Sequence, residues 1–345
     1  MAADTPGARS PRHRVAWGAL ALVLASAVLL AGASCGTDRP AGADPVAAGP
    51  PVWGVADNLH RDPASIDRKL EVMEGLGVQM IRLDIGPDQQ QVEAVRRARA
   101  AGFAVLGVVY GPREPEAYAD WIEQVVQRFA PMGVHHYEIW NEPNLTIYWP
   151  TADDPEQATS EYMALVRAAY PRVKAADPES TVLVGALSRR EDVGGRPNDW
   201  VAAMYEKGLK GNFDAISVHP YTDPDVPGED TTAANVWRQV FGPWSDRNPS
   251  VRDLMVQHGD GDKKVWITEF AAPTGGDLGR PVDEPRQAEI LRAAIALSQR
   301  HDWIGGFLWY SLRDADDGSE QFGLLRADWS PKPALAHFAE AARAG

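Results

Sequence analysis

Eight short apolar runs, each followed by a segment of helical period, recur from residue 52 to the end of the chain. The runs are Val52–Val55, Val78–Asp84, Ala104–Tyr110, His136–Trp140, Val182–Ala186, Ala215–His219, Val265–Phe270 and Gly306–Tyr310. Each is rich in Val, Ile or aromatic residues and too uniformly apolar to leave one face wet, the pattern of parallel strands covered on both sides. Between them lie Ile66–Leu76, Gln91–Ala101, Pro115–Phe129, Glu161–Ala176, Trp200–Leu209, Pro285–Gln299 and Pro333–Ala342. Several of these helical stretches open on Pro or Asp, and some close at Gly77, Gly102 or Gly211. Strict alternation of this kind implies an α/β fold with a parallel sheet, and eight units favour closure into a single (β/α)8 TIM barrel. The connection from Tyr221 to about Asp262 holds Trp237 and Trp244 and is expected to be an elaborated loop and helix over one face, not a second domain. Trp237 is expected in the core.

Ahead of the barrel, Arg9, Arg12 and Arg14 precede the apolar run Val15–Leu30 and then small residues, the order of a secretory signal. Residues 1–35 are therefore expected to be a signal peptide, 36–50 a flexible linker of Gly, Ala, Pro, Thr and Asp, and 51–345 the barrel domain. Leu30-Ala-Gly-Ala-Ser-Cys35 resembles a bacterial lipobox, which implies lipidation at Cys35, although Gly32 stands where an aliphatic residue is usual. Cleavage after Ala33 is the alternative. The expected location is extracellular or on the outer face of the cell membrane, with membrane contact only through Cys35. A formal charge of −14 argues against nucleic acid as a partner.

In such barrels chemistry sits where strands end at the C-terminal face. Strand four ends in Asn141-Glu142-Pro143-Asn144, strand seven carries Glu269, strand two ends near Arg82 and Asp84, strand six at His219 and Tyr221, strand eight at Trp309 and Tyr310. Strands four and seven lie on roughly opposite sides of the barrel, so Glu142 and Glu269 face each other across its mouth. Glycoside hydrolysis needs two carboxyl groups flanking one bond. Trp53, Trp149, Trp244, Trp309 and Tyr310 are aromatic candidates for stacking on sugar faces.

Ile139-Trp-Asn-Glu-Pro143 together with Trp266-Ile-Thr-Glu269 resembles clan A retaining glycoside hydrolases, among them families 5 and 39. The resemblance implies Glu142 as acid/base and Glu269 as nucleophile, working by double displacement. It also implies Asn141 at the sugar 2-hydroxyl, Arg82 supporting the nucleophile, His219 and Tyr221 near it, and Trp309 beneath the reacting sugar. A carboxylate within reach of Arg82 is expected to stay ionised, and Glu142, facing a second carboxylate beside Trp140, to hold its proton more tightly. Glu138, deeper in strand four, reads as an ion-pair residue.

No cofactor and no metal is expected: His135 and His136 sit at a strand start without further ligand spacing. Asp314, Asp316 and Asp317 read as a solvated acidic loop more than a calcium site. The expected partner is a carbohydrate substrate, and the protein is expected to act as a monomer. Two alternatives use the same residues: a transglycosylase and a catalytically silent carbohydrate-binding barrel.

Overall fold

The computed structural model describes residues 51–190, 194–228, 235–241 and 249–345. The expected signal peptide, the linker, Cys35 and Trp244 lie outside the described residues. Eight parallel strands close in sequence order into a barrel. They are β1 (Val52–Ala56), β2 (Met80–Asp84), β3 (Ala104–Val109), β4 (His136–Ile139), β5 (Thr181–Ser188), β6 (Ala215–His219), β7 (Lys264–Phe270) and β8 (Ile304–Tyr310). The helices are α1 (Ile66–Leu76), α2 (Gln89–Ala100), α3 (Pro115–Phe129), α4 (Pro155–Ala176), α5 (Pro197–Glu206), α6 (Asn235–Phe241), α7 (Val251–Gln257), α8 (Glu284–Ser298) and α9 (Ala334–Ala344). Among the described residues, the long sixth connection holds two short helices, α6 and α7, where one was expected. Trp237 is buried there against Phe241 and Phe270.

Helix ends follow their capping chemistry. Asp88, Asp154 and Asp283 accept from backbone N–H groups in the first turns of α2, α4 and α8. Ser250 and Asp253 form a reciprocal capping box on α7. Gly77 ends α1 at φ 83°, a left-handed conformation that costs glycine little.

Side chains alternate between the inside of the barrel and the helix layer. The bottom of the interior is an apolar plug that includes Val52, Met80, Leu106, Leu183, Trp266 and Leu308. Trp266 fits because Gly306 faces it; a Cβ there would lie 2.5 Å from the indole. Further along the barrel, β2, β4, β6 and β7 turn Arg82, Glu138, Ser217, His219 and Thr268 inward, all buried. The interior therefore changes from apolar to polar toward the C-terminal ends of the strands.

That alternation corrects the tryptophan assignments. Trp53 and Trp309 share the outward pleat of Val55 and Phe307, and both are fully buried against the helix layer. Trp309 donates to the Phe322 carbonyl at 3.0 Å and packs on Phe270. Trp149 is also fully buried, edge-on to Trp140 and donating to Glu161 at 3.0 Å. None of the three offers a face to a sugar. Asp314 is corrected too: it is buried, paired with the equally buried Lys332 at 2.8 Å, and only Asp316 and Asp317 are exposed.

Candidate active site

A cavity of about 380 Å³ opens at the C-terminal face and is lined by Arg82, Asn141, Glu142, Tyr221 and Glu269, among others. Glu142 reaches it through an unusual backbone. Trp140 and Glu142 have φ of 67° and 43°, a region that L-residues with side chains rarely occupy and that costs on the order of 1–3 kcal/mol each. The surroundings hold this shape. Trp140 packs on Tyr110, Tyr118 and Trp149, and Asn144 is tied to the Ser188 backbone in both directions, at 2.8 and 3.0 Å. Asn144 of the strand-four motif is thus a strut between the loop and β5.

Glu269 arrives by a different device. Between Ile267 and Phe270 the pairing of β7 with β8 slips by one residue. Such a bulge lets two consecutive side chains take one side. Thr268 and Glu269 consequently both join the inward polar network, which simple alternation forbids.

Arg82 organises that network. Its guanidinium donates to Glu138 at 2.6 Å, to Glu269 at 2.5 Å and to the Asn141 amide oxygen at 2.7 Å. With its oxygen taken, Asn141 keeps its NH₂ group as a donor at the cavity. Glu138 is fully buried and also accepts from Thr268 at 2.9 Å, in keeping with an ion-pair role. Tyr221 donates to the other oxygen of Glu269 at 2.7 Å. Burial alone would raise the Glu269 pKa. The nearby His219, the charge of Arg82 and the hydrogen bonds from Tyr221 and Arg82 outweigh it, so the carboxyl titrates below its ordinary value.

Glu142 has a different partner. His219 Nδ1 lies 2.8 Å from Glu142 Oε1 and 3.7 Å from Glu269 Oε2. His219 is fully buried and does not line the cavity, so it acts on the cavity only through these carboxylates. Oxygens of Glu142 and Glu269 and a His219 nitrogen lie within 4.8 Å of one another. Metals use such spacing, but here Arg82 already occupies Glu269 and the imidazole is spent on Glu142, so hydrogen bonding accounts for the cluster.

Asp84 and Tyr310, named at their strand ends from the sequence, line the cavity, and so do Tyr110, Tyr148 and several connection residues that were not singled out. Burial, reinforced by the Glu142 charge, pushes the Tyr148 hydroxyl up to about 12. Tyr310, on the inward side of β8, holds the place expected of Trp309 and donates to Glu320 at 2.5 Å. Asp84 is raised by burial and bonded to Asn58. Arg189, Glu320, Leu278 and Phe322 reach in from connections. The strand-end position of Tyr110 was a signal available in the sequence, as it was for Asp84 and Tyr310; the connection residues had none.

The family model for the "Glycosyl hydrolase catalytic core" matches residues 96–338. A beta-xylosidase of Geobacillus stearothermophilus is 24% identical over 259 residues, which cover 68% of this chain and 48% of that protein. The chain therefore spans about half the length of this curated relative. Among solved structures, a family 39 glycoside hydrolase from Bacteroides cellulosilyticus matches with a TM-score of 0.62 and 22% identity, covering 85% of this chain and 63% of that one. A glucosidase from Croceicoccus marinus matches with a TM-score of 0.64 and 16% identity, covering 86% and 69%. Both structural likenesses are likenesses of fold.

Proposed function

The chain belongs to the glycosyl hydrolase catalytic core family, and from that membership we propose that it is a retaining O-glycoside hydrolase with Glu142 as acid/base and Glu269 as nucleophile. The observation that carries the role assignment is the asymmetry of the two carboxylates. Glu269 receives hydrogen bonds from the permanent cation Arg82 and from Tyr221, which favours an ionised nucleophile. Glu142 is held instead by the His219 imidazole, whose ring nitrogen can either donate or accept a proton there. Their close approach also fits retention, for which carboxyl groups stand about 5–5.5 Å apart, better than the roughly 6.5–9.5 Å of inversion.

In the first step Glu269 attacks the anomeric carbon while Glu142 gives its proton to the leaving oxygen. In the second, Glu142 takes a proton from water, and that water displaces Glu269. Asn141 donates to the sugar 2-hydroxyl as charge develops. Aryl β-xylosides are the first substrates to try, given the name of the curated relative. Glu142→Gln is expected to cost about 10²–10⁴-fold in kcat/KM on glycosides with poor leaving groups. With a dinitrophenyl leaving group, which departs without a proton, the loss in that step should be slight. Equal losses on both would sink the acid/base role.

We also propose that the protein is exported and anchored by lipid at Cys35, on the strength of the N-terminal pattern. Expressed with its full N-terminus in a lipoprotein-making bacterium, the wild type should partition with membranes and Cys35→Ser should not. A soluble wild type beginning at Ser34 would instead point to cleavage after Ala33.

A further inference from the structure

The hydrogen bonds behind Glu142 have a fixed direction. His219 Nε2 lies 3.0 Å from Thr268 Oγ1, and Thr268 Oγ1 lies 2.9 Å from Glu138 Oε1. Glu138, paired with Arg82 at 2.6 Å and fully buried, can only accept. The single hydroxyl proton of Thr268 therefore goes to Glu138. Toward His219 the hydroxyl can only accept, so Nε2 must carry a proton. In a neutral imidazole this leaves a lone pair on Nδ1, aimed at Glu142 Oε1 from 2.8 Å.

We propose that Thr268 is a positioning residue that, through the tautomer of His219, keeps the proton needed for leaving-group departure on the Glu142 side of the site. This rests on the reading of Glu142 as the acid. With the Nε2–H form enforced, the Glu142–His219 pair holds one proton between Oε1 and Nδ1, and Glu142 delivers it to the leaving oxygen. Losing that proton to solvent would leave a carboxylate facing an imidazole lone pair, an unfavourable contact. Without Thr268 the imidazole can shift to its Nδ1–H form, donate to the Glu142 carboxylate, and so ease loss of the proton. The other groups facing the pair are Glu269 from β7, Tyr221 from the end of β6, Tyr148 from the loop after β4 and Arg82 from β2. Glu269 is held ionised by Arg82, and the tyrosines are pushed upward by burial, so none of them takes the place of the pair as proton source.

The test uses the full-length enzyme. For Thr268→Val, the basic limb of kcat/KM against pH should move down by about one pH unit, the size of shift that a hydrogen bond to a charged group supports. Above that limb, glycosides with poor leaving groups should lose roughly tenfold in rate, and dinitrophenyl glycosides far less. Thr268→Ser keeps the hydroxyl and should restore the wild-type limb. An unmoved limb, or equal losses for both leaving groups, overturns the proposal. Should Thr268→Val not fold, ¹⁵N-histidine NMR of the wild type decides: the neutral His219 must be the Nε2–H form, and an Nδ1–H form overturns it. A wild type inactive even on dinitrophenyl glycosides would count against the enzyme reading itself, an outcome the NMR measurement does not depend on.

Discussion

Glu269→Gln is expected to lower kcat/KM on the order of 10⁵-fold, the scale of loss when a covalent nucleophile is removed. The amide fills the same space and can still meet Tyr221, so the fold should survive while the attacking charge is gone. The same position changed to Ala opens room for a small anion. Added azide should then restore turnover by attacking the anomeric carbon from the emptied side, giving a glycosyl azide of inverted configuration. In Glu142→Ala, azide should instead attack the covalent intermediate and give the retained product. These opposite outcomes separate the two carboxylates by stereochemistry. An active Glu269→Gln protein, measured on the best aryl glycoside, would refute the assignment.

Arg82→Met should be the most damaging change to the fold. It leaves Glu138 buried without its cation, a loss of about 3–5 kcal/mol of stability. Glu269 adds a pH signature. Its folded pKa is depressed, so the stability it contributes is present above the unfolded carboxyl value and lost as pH falls through the lower folded value. The acid limb of wild-type kcat/KM should therefore lie below the ordinary glutamate range. Removing Arg82 takes away one of the charges that lowers the Glu269 pKa, and the limb should move up. Arg82→Lys keeps the charge but cannot reach Glu138, Glu269 and Asn141 together, so its limb should shift less. Urea denaturation and pH–rate profiles check both parts. A loss below about 1 kcal/mol, the most an exposed ion pair typically contributes, with an unmoved limb would contradict this account.

The barrel was legible because its strands are buried on both faces and stand out as apolar runs between helical stretches. Alternation along a strand was equally informative where it was followed: Arg82 and Asp84 share the inward pleat of Met80, and Ser217 and His219 that of Ala215. The same rule places Tyr310 with the inward Leu308 and Trp309 with the outward Phe307, but stacking on a tryptophan suggested by resemblance took precedence. The β7 bulge lay beyond any pattern of residue types, because it arises from pairing between β7 and β8. Without it, Thr268 would still share the inward pleat of Trp266, but Glu269 would point to the opposite side, away from Arg82 and Tyr221. Glu320, Arg189 and Leu278 come from connections whose position depends on closure of the whole barrel, so their part in the cavity had no local signal. The inward rotation of Glu142 likewise depends on the packing of Trp140 and the anchoring of Asn144.

The central claim, that Glu269 forms a covalent bond to the sugar, is tested most directly by trapping. Wild-type enzyme is incubated with a 2-deoxy-2-fluoro glycoside carrying a dinitrophenyl leaving group and the glycone it hydrolyses best. It is then quenched, digested and sequenced by mass spectrometry. One fluorosugar per chain, on the peptide containing Val265–Phe270 and localised to Glu269, is the expected result. A label on Glu142 or another residue would contradict the account, as would turnover to an inverted product with no adduct at all.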